Sequence, residues 1–325
     1  MRPQKKSMNY LMAIQKIFYI FVNFTVTDKK EVVGVVSYDA GGAEIISSYI
    51  VRNKIKALYC LQGPAVNIFN GKIHKIEILS LDDLINKSDW LLCGTSWQSD
   101  LEWKAIQRAK KANKKVISFI DHWVNYRERY FKKSEYALPD EIWIGDIYAE
   151  KIAKDNFPNL KVMLKSNPYF LDMKEQLLKL KKSKNINILL NKVLYVCEPI
   201  REHAFLQHGD ENYWGYTEEK ALRYFLTNIN CIYDKNVSIV IRPHPSEDID
   251  KYNWVFNEFN QDSISIDNNK MLMEQIVDSD IVVGCESMAM VVALLAEKTV
   301  ICSIPVGGRA CVLPHKEIVS IEDYL

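Results

Sequence analysis

The sequence has almost no excess charge of either sign. Its 42 basic residues face 41 acidic ones for a formal net charge of +1, so no global field recruits nucleic acid. It has no cysteine framework either. Cys60, Cys93, Cys197, Cys231, Cys285, Cys302 and Cys311 are scattered without metal-ligand spacing. Most sit in apolar runs, where a free thiol behaves as a small hydrophobe. An odd, unframed count of this kind points to a reducing cytoplasm. Internal repeats and low-complexity tracts are absent, and no strand is followed by the Gly-x-Gly-x-x-Gly pattern of a nicotinamide enzyme. A long unbroken apolar run is missing as well. The stretch Tyr10–Val26, preceded by Arg2, Lys5 and Lys6, is interrupted by Gln15 and Lys16 and leads to no small-residue cleavage site. Residues 1–30 therefore read as an accessory segment that packs on the protein or lies against a membrane surface, which allows peripheral association at the inner face of the membrane.

What is present is a regular α/β alternation. At 325 residues, with 48% hydrophobic and 26% charged content, the chain is long enough for two domains with separate cores. From Glu31 onward, short β-branched runs alternate with helical patterns. Strands are expected at Val32–Val36, Ala57–Leu61, Ile76–Leu79, Trp90–Cys93, Val116–Ile120, Glu141–Ile144 and Lys161–Leu164. Continuous apolar runs of that length suit parallel strands covered on both faces. The Lys-rich stretch 171–187 reads as an interdomain connection. A second series follows, with strands at Lys192–Cys197, Ser238–Ile241, Ser263–Ile266, Ile281–Val283 and Val300–Ser303. The expectation is an α/β protein of two doubly wound, Rossmann-like domains facing a cleft. Residues 31–170 would serve the acceptor and residues 188–325 the donor.

In such sheets ligands sit beyond the carboxyl ends of the strands, and the polar clusters fall there. Asp39-Ala-Gly-Gly42 follows the first strand. Gly41 and Gly42 let backbone approach a ligand, and Asp39 is placed to take a proton from a hydroxyl. Asp121-His-Trp-Val-Asn-Tyr-Arg127 follows the strand ending at Ile120. It offers Asp121 and His122 as acid–base candidates, with Trp123 and Arg127 to shape an acceptor site. Glu198 and Arg201 follow the first strand of the second half, where His203 and His208 match no metal-ligand motif, so no metal is assigned. Arg242-Pro-His-Pro245 holds His244 in an extended frame between two prolines. Gly284-Cys-Glu-Ser287 opens a helix that Ser287 can cap and whose N–H groups attract phosphate. Glu286 suits ribose hydroxyls, and Val306-Gly-Gly-Arg309 can close over a donor.

With those residues in view, the chain resembles GT-B glycosyltransferases of bacterial surface polysaccharide assembly. His244-Pro245 is similar to the His-Pro motif of sialyltransferases and capsule transferases that use CMP-activated acidic sugars. That resemblance implies that His244 contacts the CMP phosphate and that Ser287, here without a second serine, helps to hold it. It implies a nucleotide-sugar donor without a further cofactor and a glycan or glycolipid acceptor. Family members carry their base in an acidic-acidic-Gly motif, where this chain has Asp39-Ala-Gly-Gly. A CDP-glycerol type of polyol-phosphate transferase, a UDP-N-acetylglucosamine 2-epimerase-like enzyme and a non-catalytic sugar- or nucleotide-binding scaffold are the competing readings.

Overall fold

The run Val33-Gly-Val-Val-Ser37 is buried at every position and bonded to parallel neighbours along both edges, as its lack of polar alternation requires. The computed structural model describes residues 31–96, 99–183, 191–233, 237–259 and 263–325. The expected accessory segment lies outside them. In chain order the first domain runs β1 (Val33–Ser37), α1 (Ala40–Arg52), β2 (Ala57–Leu61), α2 (Pro64–Lys72), α3 (Leu81–Lys87), β3 (Trp90–Cys93), α4 (Leu101–Lys111) and β4 (Val116–Ile120). A hairpin of β5 (Phe131–Lys132) and β6 (Glu135–Tyr136) precedes β7 (Glu141–Ile144), α5 (Ile147–Asn156) and β8 (Lys161–Leu164). The helix α6 (Pro168–Ser183) leads to the second domain. There the order is β9 (Lys192–Val196), α7 (Ile200–His208), α8 (Glu218–Ile232), β10 (Ser238–Arg242), α9 (Val255–Glu258) and β11 (Ile264–Ile266). It ends with α10 (Leu272–Val277), β12 (Ile281–Gly284), α11 (Met288–Leu295), β13 (Thr299–Cys302) and β14 (Ile318–Ser320).

The two domains keep separate sheets. Strand order is β2-β1-β3-β4-β7-β8 in the first and β11-β10-β9-β12-β13-β14 in the second, six strands each, with every pairing parallel. Strand order reverses between β1 and β3 in one sheet and between β9 and β12 in the other. Adjacent loops diverge at these points and leave a crevice for ligand.

Several local expectations give way to tertiary context. Helix α1 begins at Ala40, so Gly41 and Gly42 lie in its first turn rather than in a loop. Asp39 takes the extended N-cap conformation, φ −72° and ψ 151°. The run Ile76–Leu79 forms only an isolated bridge from Ile78 to Tyr59, because Ile78 is exposed and finds no second neighbour. The connection 171–187 is helical as far as Ser183. Asn167 Oδ1 accepts the N–H groups of Tyr169 (3.1 Å) and Phe170 (3.2 Å) and so caps α6. This helix buries Met173 and Leu177 in a hydrophobic cluster that reaches from Val36 and Ile120 to Leu194 and Val282. Arg52 holds it to α1 through Asp172 (2.6 Å) and Glu175 (2.8 Å). The helix expected over Asp250–Phe259 is broken into a 3-10 turn, Ile249–Tyr252, and α9. Helices α2 and α7 and the edge strand β14 carry no strong sequence signal and were not anticipated.

Candidate functional site

The segment after β4 of the first domain and the point of strand reversal of the second face one interdomain cavity of about 450 Å³, lined by His122, Asn125 and Arg129 from the first domain and by Glu198, His203, Trp214, Glu286 and Arg309 from the second. On the first wall, Asp39 follows β1 and hydrogen-bonds Ser96, which follows β3. Its carboxyl titrates above the usual carboxylate range, chiefly through burial, with the Asp121 charge adding to the rise. Asp121, after β4, pairs with Arg129 Nη1 at 2.9 Å. The same nitrogen donates to Thr95 Oγ1 at 2.7 Å. A Cβ built on Gly41 would fall 1.8 Å from Asp121 Oδ2, so glycine there is what admits the carboxylate against α1. Asp39 and Asp121 do not themselves line the cavity, whereas Arg129, the partner of Asp121, does.

Burial holds the His122 imidazole below its usual pKa against the opposing pull of Asp121. Its Nδ1 is buried with no partner among the described residues. Trp123 is no open sugar platform. It is buried, donates from Nε1 to Asp146 at 2.9 Å, and packs edge-on against His315 of the second domain at 4.8 Å. Arg127 is exposed and is not part of the cavity wall. Sequence reasoning missed Glu102. It is 3% exposed, accepts the Tyr38 N–H at 2.7 Å, and is raised to about 7 by burial, with the charges of Asp39 and Asp121 adding to the rise. The available signal was a carboxylate set between Leu101 and Trp103, both buried, in the first turn of α4.

On the second wall, Glu198 Oε1 bridges the point of reversal by accepting the N–H groups of Glu286 (2.8 Å) and Cys285 (3.3 Å). Desolvation at the cavity wall raises its pKa to about 8, with Glu286 contributing, so at neutral pH it is a neutral acid able to donate. Ser287 caps α11 by accepting the Ala289 N–H at 3.2 Å. Arg309 forms an ion pair with Glu286, and its guanidinium lies 3.8 Å from the Trp214 ring centroid. Glu286 Oε2 and Arg309 Nε are buried and partnerless among the described residues. Arg309 is thus the second domain's guanidinium on the cavity wall, where Arg242 is absent.

Arg242 itself is engaged elsewhere, donating to the Lys270 carbonyl (2.7 Å) and Gln275 Oε1 (2.6 Å) on the β11 side of the sheet. Arg201 is likewise held by Glu219 (2.9 Å) and Glu218 (3.4 Å). His244 accepts the Ser246 N–H at Nδ1 (3.2 Å), which leaves the proton on Nε2. Its own N–H donates to Glu247 Oε2 at 3.0 Å. Burial lowers the pKa of this ring despite Glu247 nearby, so it is a neutral donor. The carboxylates of Glu202, Glu218 and Glu247 converge within 4.8 Å of one another. The Lys251 ammonium occupies their centre, at 2.9, 2.5 and 2.8 Å.

No protein-family model matches the chain, and comparison with curated proteins gives no match. Solved structures do match its fold. A putative UDP-N-acetylglucosamine 2-epimerase from Listeria monocytogenes superposes with a TM-score of 0.58 at 9% identity, covering 84% of this chain and 79% of that one. UDP-GlcNAc 2-epimerase from Methanocaldococcus jannaschii gives 0.56 at 11% identity over 83% of each chain. The S. aureus MnaA–UDP complex gives 0.52 at 10% identity, covering 84% and 79%. Two parallel-sheet, Rossmann-like domains opposed across a cleft are the GT-B fold, and this chain has it.

Proposed function

We propose that this chain is a nucleotide-sugar-dependent glycosyltransferase acting on a glycan or glycolipid hydroxyl. The supporting observation is the interdomain cavity in which Arg129, the partner of Asp121, faces a donor wall of Glu198, Glu286 and Arg309, with the raised-pKa carboxyl of Asp39 at the end of β1 behind that first wall. In this reading the acceptor oxygen attacks the anomeric carbon and its proton passes to Asp39, whose raised pKa suits a general base. The carbon–oxygen bond to the nucleotide phosphate breaks, and charge grows on the phosphate. Arg309 and the His244 Nε2–H are the donors suited to meet that charge. Asp121 and Arg129 set the wall behind the acceptor, while Glu286 and the protonated Glu198 address ribose or base. The finer reading, a CMP-activated acidic sugar, rests on His244-Pro245 and Ser287.

A second reading, epimerisation of UDP-N-acetylglucosamine, is favoured by the names of the structures reported above and by the acids Asp39, Glu102 and Asp121 gathered near one another on the His122 side of the cleft. One experiment separates the two. Thermal shifts with CMP, CDP, UDP, GDP and ADP identify the nucleotide, since a ligand that binds the native state raises the melting temperature by mass action. The matching nucleotide sugars are then incubated with and without glycan acceptors. Acceptor-dependent release of nucleotide supports transfer. A new sugar epimer without release replaces it with epimerisation. Among the described residues no helix is long and apolar enough to cross a membrane, so vesicles of anionic lipid test peripheral association separately.

A further inference from the structure

Behind the loop that carries Arg309 lies a second cavity, of about 520 Å³, lined in part by Cys302, Cys311, Gly308, Arg309 and His315. Two thiols meet at its wall. Cys302 ends β13, and Cys311 returns after the loop 303–310. Cys302 Sγ donates to the Cys285 carbonyl at 3.2 Å, and Cys311 Sγ reaches the same oxygen at 3.3 Å. Two sulfurs sharing one acceptor atom are neighbours. They differ in access, since Cys302 is buried and Cys311 is partly exposed.

We propose that Cys302 and Cys311 form a dithiol modification site that takes a low-molecular-weight disulfide and closes into an intramolecular disulfide beneath the Arg309 loop. The inference stands independently of the transferase reading. Cys311 is the attacking sulfur. It is the partly exposed member of the pair, and its thiol is lowered from the ordinary value beside Cys302 while that of Cys302 is raised. The thiolate is the nucleophile in such exchange. Cys311 loses its proton to solvent and attacks one sulfur of the reagent, whose S–S bond breaks and releases one thiolate to be protonated. Cys302 then loses its proton and attacks Cys311 Sγ, forming the Cys302–Cys311 bond and expelling the second thiol. Two electrons pass from the protein pair to the reagent. The closed loop holds Gly307, Gly308 and Arg309, so oxidation bears on the contacts of Arg309 with Trp214 and Glu286.

The test treats the folded full-length chain with oxidised glutathione, alkylates remaining thiols, and maps peptides by mass spectrometry. The expected result is a Cys302–Cys311 cross-link, a loss of two free thiols per chain beyond any modification of Cys231, and full reversal by dithiothreitol. In Cys302→Ser, Cys311 is expected to stop at the mixed disulfide with glutathione. Recovery of Cys302 and Cys311 as reduced thiols while the exposed Cys231 carries glutathione overturns the proposal. So does a bridge from Cys311 to Cys285.

Discussion

Gly41 and Asp121 occupy mutually dependent positions: a Cβ at residue 41 would sit 1.8 Å from Asp121 Oδ2 and 2.9 Å from its Cγ. The carboxylate cannot swing aside freely, because Arg129 holds Oδ1 at 2.9 Å and is itself tied to Thr95. Gly41→Ala must therefore displace Asp121 and loosen Arg129 at the cleft. Misplacement of this kind costs on the order of 100-fold in rate. We expect a loss of that size in transfer, measured beside Gly71→Ala. Gly71 has no atom within 4 Å of a built Cβ, so its alanine variant should match wild type in rate and gain roughly 0.5–1 kcal/mol from helix propensity.

Asp39→Asn keeps shape and removes basicity. If Asp39 takes the acceptor proton, transfer falls about 10²–10⁴-fold, while nucleotide binding, read by calorimetry, is unchanged. Wild-type transfer in Asp39→Asn together with an inactive Asp121→Asn reverses the assignment of the base.

Lys251 is the cation between the buried carboxylates of Glu218 and Glu247 and the exposed one of Glu202, and it fastens the His244 loop, through Glu247, to α7 and α8. Lys251→Met leaves those carboxylates without their ammonium, and breaking a buried pair in this way costs about 3–5 kcal/mol. Denaturant melts should show that loss. Millimolar Mg²⁺ or Ca²⁺ should restore part of it in the variant and leave wild type unmoved, because the three carboxylates already have ligand spacing. The absence of any divalent rescue would falsify the view that the ammonium stands where a cation fits.

Glu198 holds its proton up to about pH 8 in the folded chain against an ordinary value of 4.5. An acid whose folded pKa is raised contributes stability that is complete below the unfolded value and is lost as pH climbs through the folded one. Wild-type stability should therefore decline between about pH 4.5 and pH 8 by an amount that Glu198→Gln removes, since the amide keeps an oxygen for the Cys285 and Glu286 N–H groups. Melting temperatures of the two proteins should diverge toward high pH, by roughly 2–4 °C for each kcal/mol. Parallel curves would leave Glu198 ionised in the folded state.

The alternation of strands and helices and the two doubly wound domains were legible in the sequence, because a β-branched run buried on both faces has few alternative homes and its loops must emerge at the carboxyl end. Asp39, Asp121, Glu198 and Glu286 do follow strands β1, β4, β9 and β12. Partner choice was not legible. Arg242, Arg201 and Arg309 look alike along the chain, yet Gln275 and the Lys270 carbonyl engage the first, Glu218 and Glu219 the second, and only the third stacks on Trp214 at the cleft. Trp123 shows the same limit, since an aromatic at a strand end serves a sugar or a domain contact equally well until His315 is packed against it. The reason is range. Hydrophobic periodicity is local and survives in one dimension, whereas the neighbour of a guanidinium, the burial that lifts Glu102 and Glu198, and the room that Gly41 leaves for Asp121 are set by residues tens of positions away. Those are decided only when the sheets have closed on their helices.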